Sequence, residues 1–484
     1  MITYLSTRGG IAPVDFETAV LQGFASDGGL FVPDKIPRVS TSTLKQWSTL
    51  SYVDLAFEIL SLFIDRSVIS ADQLSGLLHS SFSAFTHPQI VPVVQPAPED
   101  NLFVMELFHG PTLSFKDVAM GFLINTLDLF LKRRNEQATL LVATTGDTGP
   151  AAAHAAAGKH SLNCWVLFPH GLISEEQQRQ MTTIKASNVH AVGVNNCRDG
   201  GDDLDLVVAN LFADKNFKHQ VNLSSVNSIN WGRVLMQAVH YFYAYFQVAD
   251  GMDDRIAFSV PTGAFGNLFG GYLARNMGLP VQTFVIANNP NAAIHRTLTQ
   301  GTFTKQDLIQ TTSSAIDIVV PYNFWRYLYF VTGQDHGRLC QWMERFSREG
   351  SARFDSVTLD NLRQGMMTAV ISDSETLSTI EKVYRQHGYL LDPHGAVALA
   401  AAKQAMSNLP SETKFISLAT AHPAKFPDVV RKALNIDDAL PDAAAHSSIQ
   451  QATGLLQHLR IGDCAFLESG LRQSIVAVAS KKQF

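Results

Sequence analysis

Cysteine is scarce in this chain, with Cys164, Cys197, Cys340 and Cys464 the only four in 484 residues. They are far apart and show no metal-ligand spacing, so neither a zinc module nor a disulfide scaffold is indicated. They read as ordinary thiols of a reducing compartment. Charge is also sparse: Asp, Glu, Lys and Arg make up 17% of the chain and the net charge is −6. With no cluster of Lys and Arg, binding to nucleic acid or to an anionic membrane is not expected. Small anions remain open, because backbone amides bind them whatever the net charge. No uncharged apolar run reaches membrane-spanning length. The opening MITYLSTRGGIAPVDF has no basic start followed by an apolar run, hence no evident secretory signal. The expectation is a cytoplasmic protein without internal repeats or low-complexity segments.

What is present is apolar and long. Hydrophobic residues reach 46%, enough for large cores, and the length suits about three domains. Residues 1–98 read as a mixed region of short helices closing at a proline-studded linker, PQIVPVVQPAPED. Strand-helix alternation follows. ATLLVAT, LNCWVLFP, NVHAVGV, RIAFSVP and VQTFVIA read as buried strands, with helices such as SEEQQRQMTTIKA and SINWGRVLMQAVHYFYAYFQ between them. That alternation predicts a parallel α/β sheet covered on both faces, with ligands beyond the carboxyl ends of its strands. Residues 290–385 read as a mainly helical insertion, and KFISLAT as one more strand. The last fifty or so residues resist a reading.

Several strand ends carry chemistry. In HGPTLSFKDVAM, Lys116 opens a long helix, an end that disfavours cations. It is either a solvated surface lysine or one kept for its amine. PTGAFGN, Pro261 to Asn267, lies between strand and helix; Gly263 and Gly266 serve either tight packing or an anion on the helix start. Its G-x-x-G spacing is neither a dinucleotide fingerprint nor a nucleoside-triphosphate loop. TTGDTG gathers Thr144, Thr145, Asp147 and Thr148 about thirty residues past Lys116, one strand-helix step on in what reads as the same sheet. In ATAHPAKF, Thr420 directly follows a strand, while His422 has no partner at i+4 for zinc. His394 in LDPHGAV reads as packing. One amine, a cup for a single phosphate, an acidic hydroxyl-rich loop and a further hydroxyl together suggest pyridoxal phosphate. A helix start also lowers a lysine pKa, which suits amine chemistry.

Taken in order, ELFHGPTLSFKD, TTGDTG, NSINWGR, VPTGAFGNL and TAHPAKFP resemble threonine synthase, a family of fold-type-II pyridoxal phosphate enzymes. YLSTRG and SDGGLFVP resemble the same family's opening. The resemblance implies an α/β fold like the tryptophan synthase β chain, with parallel sheets flanked by helices and an N-terminal mixed domain. It implies an N-terminal domain over 1–98, a small domain over 99–225 carrying Lys116, and a large domain over 226–484 with the insertion.

By the same resemblance Lys116 holds the cofactor, and Gly263, Ala264, Phe265, Gly266 and Asn267 bind its phosphate. Asp147 lies near the ring's 3′ oxygen and Thr420 faces the ring nitrogen. Thr144, Thr145, Thr148, Asn227, Asn230 and Arg233 are candidates for the substrate. The family converts O-phosphohomoserine and water to threonine and phosphate; no metal is implied, and the assembly is a monomer or homodimer. Ala264 stands where family members often have Asn, and Gly395 where Thr is commoner. A related phospho-lyase releasing a keto acid, and a silent cofactor-binding protein, are the alternative readings.

Overall fold

The structure, a computed structural model, describes residues 2–98, 100–197, 201–437, 439–452 and 459–480. Two parallel sheets carry it. The larger has six strands in the spatial order Met366–Val370, Val281–Asn288, Ile256–Pro261, Lys414–Ala419, Leu102–Glu106 and Val93–Val94, the last antiparallel. The smaller has five parallel strands in the order Leu459–Asp463, Val189–Asn195, Leu162–Pro169, Ala138–Ala143 and Leu223–Ser224. Every residue of Ala138–Ala143, Leu162–Pro169 and Ile256–Pro261 is buried, as strands covered on both faces must be.

Two expectations need correction. Lys116 and Asp147 do not belong to one sheet. The strand before Lys116, Leu102–Glu106, was not anticipated and lies in the larger sheet, whereas Asp147 follows Ala138–Ala143 of the smaller. The helix Lys116–Arg134 therefore crosses from one sheet to the other. The proline-studded stretch is not a free linker, because Val93–Val94 pairs with Leu102–Glu106 as the sheet edge. Sheet membership also cuts across the boundaries 98/99 and 225/226. Leu102–Glu106 pairs with the later strands, and Leu459–Asp463 pairs with Val189–Asn195 of the smaller sheet.

The tail has a place as well. Leu467, Leu471 and Ile475 of its last helix, Leu467–Ser480, share a cluster with Leu204 and Leu211 of the helix Gly201–Ala213. The N-terminal region holds a two-stranded antiparallel ribbon and four helices, Phe16–Gln22, Thr41–Trp47, Tyr52–Ser61 and Ala71–Phe82, each started by an Asp or Ser cap. It packs on the buried helix Trp231–Val248, with Tyr4 and Phe63 against Trp231 and Trp47 against Phe242. Residues 290–385 are largely helical, but they also supply the edge strand Met366–Val370. Among the described residues no helix is long and apolar enough to cross a membrane.

Candidate active site between the two sheets

Five strand ends, from both sheets, deliver the candidate residues. The loop before Lys116 is stitched to the end of Lys414–Ala419. Leu107 N–H donates to the Ala419 carbonyl at 3.0 Å, Phe115 N–H to the Thr420 carbonyl at 2.8 Å, and Ser114 bridges Ala421. Asp117 pins the same loop, accepting from Thr112 N–H at 2.8 Å and from the Thr112 hydroxyl at 2.6 Å. Lys116 is thus the first residue of a helix with no side-chain cap, beside Thr420.

Lys116 is not a solvated lysine. It is only partly exposed, and its Nζ sits 4.1 Å from the Phe115 ring centroid. Burial first, then the charges of Arg233 and Lys425, bring its amine down to about 7 against the pull of Asp147. Near neutrality much of it is therefore unprotonated and nucleophilic.

Asp147 is buried, and its Oδ1 lies 2.7 Å from Lys425 Nζ and accepts from Gln177 Nε2 at 3.2 Å. Burial works to raise its pKa, but Lys425, with His394 and Lys116, outweighs it and holds the carboxyl below its ordinary value. Lys425 was quoted within TAHPAKFP but assigned no role; the signal was only a lysine just past the strand of Thr420. In the same turn Thr144 is turned inward, its hydroxyl accepting from Gly146 N–H at 3.1 Å and Gly149 N–H at 3.0 Å. Thr145 and Thr148 are partly exposed on that turn.

The turn Gly263 to Asn267 combines both readings of its glycines. A Cβ at Gly266 would stand 3.2 Å from Asn323 Nδ2 and 3.4 Å from Gln237 Oε1, and one at Gly263 would stand 3.1 Å from Ile316 Cα, so tight packing is real. The helix Gly266–Met277 nevertheless starts without a side-chain cap, on Phe265 at φ 65°, leaving its first amides for an anion. Asn323, another residue not anticipated, fixes the turn by donating from Nδ2 to the Ala264 carbonyl at 3.0 Å. Asn267 Oδ1 accepts from Tyr241 at 3.1 Å and lies 2.8 Å from His240 Nε2, while its Nδ2 is buried without a partner.

The substrate candidates separate. Asn230 is fully engaged: its Oδ1 accepts from Gly232 N–H, and its Nδ2 donates to the carbonyls of Val20 and Ser225. It caps the helix Trp231–Val248, so its amide faces no ligand. Asn227 Oδ1 is buried without a partner. Arg233 is the outstanding case. It is 1% exposed, donates only from Nη1 to the Val226 carbonyl at 3.2 Å, and leaves Nε and Nη2 buried without partners. Among the described residues no carboxylate pairs with it; burial lowers its pKa to about 10. An unpaired buried cation costs several kcal/mol, so this one is poised for an anion brought from outside.

Both histidines are hydrogen-bonded within the protein. His394 Nδ1 lies 2.7 Å from Asp392 Oδ1 while its Nε2 accepts from Ala315 N–H at 3.1 Å, and His422 Nδ1 accepts from Ala424 N–H at 3.1 Å. Two of the cysteines, far apart in sequence, do meet: Cys197, Cys464 and Asp203 bring their ligand-type atoms within 4.8 Å of one another.

The sequence matches the family models described as threonine synthase N terminus over residues 3–82, pyridoxal-phosphate dependent enzyme over 90–351, and threonine synthase, C-terminal, over 395–451. The chain belongs to the threonine synthase family of pyridoxal-phosphate-dependent enzymes. It is 39% identical over 465 residues to a threonine synthase of Schizosaccharomyces pombe, covering 90% of each chain. It is 38% identical over 480 residues to a protein named threonine synthase-like 2 of Xenopus laevis, covering 99% of each. Among solved structures, yeast threonine synthase superimposes with a TM-score of 0.91 at 35% identity, covering 98% of this chain and 99% of that one. The PLP-bound threonine synthase of Brucella melitensis gives 0.88 at 36% identity, with the same coverage. Membership fixes the fold type, the cofactor and the class: a lyase that acts on phosphate esters.

Proposed function

We propose that this family member is a threonine synthase, converting O-phospho-L-homoserine and water to L-threonine and phosphate. The observation that carries the reading is Arg233: a buried guanidinium with two unused donors, electrostatically coupled to a nucleophilic Lys116. A doubly charged phosphate ester or a carboxylate satisfies such a group.

The donor set also fits pyridoxal phosphate. In this reading Lys116 holds it covalently; the backbone of Gly263, Ala264, Phe265, Gly266 and Asn267, with the orphaned Asn267 Nδ2, takes its phosphate. Asp147 and Thr420 would hold its ring, as the family resemblance implies. The bound cofactor supplies an electron sink for the pair left when an amino acid loses its α proton. Everything else falls to the chain. Lys116 Nζ takes the proton from carbon α and relays one at carbon β. Arg233, Asn227, Thr145 and Thr148 orient the substrate while phosphate leaves carbon γ and water adds at carbon β. Thr144 contributes by holding its loop, and Asn230 by capping the Arg233 helix.

The second reading, a phospho-lyase releasing 2-oxobutyrate and phosphate, draws on Ala264 and Gly395 and on the equal likeness to proteins named threonine synthase-like 2. A silent cofactor-binding protein has no use for the Arg233 guanidinium held buried beside Lys116 with two donors unpartnered. One assay separates all three: phosphate, threonine and 2-oxobutyrate counted together from O-phosphohomoserine. Threonine equal to phosphate supports the synthase, 2-oxobutyrate equal to phosphate supports the lyase, and no phosphate removes both.

A further inference from the structure

Asp147 has two lysines to choose from. Lys425, fully buried, holds its Oδ1 at 2.7 Å, while Lys116 lies near enough for the two charges to act on each other. A buried carboxylate stabilises the ammonium form of the amine it pairs with. For a lysine that must offer a lone pair, such pairing defeats its purpose. Lys425 is built to take that place. It sits in the short turn Pro423–Lys425 past the end of the larger sheet's strand Lys414–Ala419 and donates to the Thr112 carbonyl at 3.0 Å. Thr112 is the residue whose amide and hydroxyl are bound by Asp117, and its carbonyl also accepts from Gln180 Nε2 at 3.0 Å. Asp147 comes from the smaller sheet. The pair therefore joins the loops at the ends of the two sheets.

We propose that Lys425 is a positioning residue which occupies Asp147 and so keeps the Lys116 amine unpaired and nucleophilic. The inference rests on Lys116 being the nucleophile of the proposed function, but its test does not. The charged groups facing Lys116 are Arg233, Asp147 and Lys425; those facing Asp147 are Lys425, His394 and Lys116; Asp117 faces Lys425. Arg233 also disfavours the Lys116 ammonium, but it makes no bond to Asp147. Lys425 is the cation bonded to that carboxylate; Gln177 Nε2, at 3.2 Å from the same oxygen, carries no charge to replace it.

Competitive acetylation of the full-length chain freed of cofactor, read by mass spectrometry on the Lys116 peptide across pH, measures the Lys116 pKa without substrate or turnover. Lys425→Met is expected to raise that pKa by about one unit or more, roughly a tenfold loss of neutral amine near neutrality. Lys425→Arg, which keeps the cation, is expected to leave it in place. Lys425→Met combined with Asp147→Asn is expected to bring it back, because the competing carboxylate is gone. An unchanged or lowered pKa in Lys425→Met overturns the proposal, and so does a rise that Asp147→Asn fails to reverse. Should Lys425→Met not fold, Lys425→Gln, which retains a donor toward Thr112, reads the same shift. If the shifts appear but O-phosphohomoserine is not turned over, the proposal stands and the functional reading falls. If turnover is found without the shifts, the reverse holds.

Discussion

Among the described residues two arginines are buried, Arg233 at 1% exposure and Arg326 at 0%, and they teach opposite lessons. Arg326 sits in the helix Phe324–Val331 and spends its guanidinium on the protein. Its Nε donates to the Phe31 carbonyl at 3.0 Å, one terminal nitrogen to Asn323 Oδ1 at 2.5 Å and the other to the Ile229 carbonyl. It ties the N-terminal ribbon, the turn before the Arg233 helix and the residue that fixes the Gly263 to Asn267 turn. Arg233 spends one nitrogen and leaves two idle. Burial lowers Arg326 further, to about 9, than Arg233, to about 10. Depth and acidity would therefore select the wrong residue. Unused donor capacity is what separates a cation built for the fold from one built for a ligand.

The largest expected effect sets the baseline for testing that contrast. Lys116→Ala is expected to cut turnover by at least about a thousandfold while leaving the melting temperature in place, since no other residue here offers a free amine. Residual turnover near wild type would remove the nucleophile from the scheme. Arg326→Met comes next. It leaves the carbonyls of Phe31 and Ile229 without donors in a dry interior, a loss of about 3 kcal/mol in urea unfolding. Arg233→Met should reverse that profile, with KM for O-phosphohomoserine up about tenfold to a hundredfold and stability unchanged or higher, because an unpaired buried charge has gone. If instead Arg233→Met unfolds the chain and Arg326→Met raises KM, the contrast is wrong.

A pH measurement sharpens it further. The amine of Lys116 must be neutral to attack, so cofactor uptake by the freed chain is expected to rise with pH and level off through the Lys116 midpoint near 7. Below the midpoint the slope is about tenfold per pH unit. Arg233 is among the charges that lower this amine and Arg326 is not. Arg233→Met is therefore expected to move the midpoint upward, while a stable Arg326 variant leaves it where it was.

Much of this site was legible before the fold. Thr144, Asp147, Gly263, Gly266 and Thr420 stood out because a hydroxyl, acid or glycine directly after a buried strand is a local pattern. Lys116 stood out because a cation at a helix start runs against the dipole. What was missed depends on which sheet a strand joins. Parallel strands of both sheets read alike, so the crossing made by the helix Lys116–Arg134, and with it the meeting of Asp147 and Lys425, left no local trace. Leu102–Glu106 was lost between a proline-rich stretch and a Gly-Pro turn. Asn230 was misjudged for a simpler reason: an Asn before a helix is as good a cap as a ligand, and only its three bonds decide.

The smallest effect expected concerns Ala264, where the family often has Asn. The turn meets its ligand through backbone amides at an uncapped helix start, and that backbone is held from outside, by Asn323 Nδ2 and N–H on the Ala264 carbonyl at 3.0 and 3.3 Å. An Asn at 264 keeps these bonds, because they fall on the main-chain carbonyl, which the substitution leaves unchanged. What it adds is one amide donor at a partly exposed position, worth about 0.5 kcal/mol where water competes. Ala264→Asn is accordingly expected to tighten pyridoxal phosphate by less than about threefold in a fluorescence titration of the freed chain. A gain of tenfold or more would mean that the side chain, not the Asn323-braced backbone, limits phosphate binding. The same division that sets Arg326 apart from Arg233 would then have failed within a single turn.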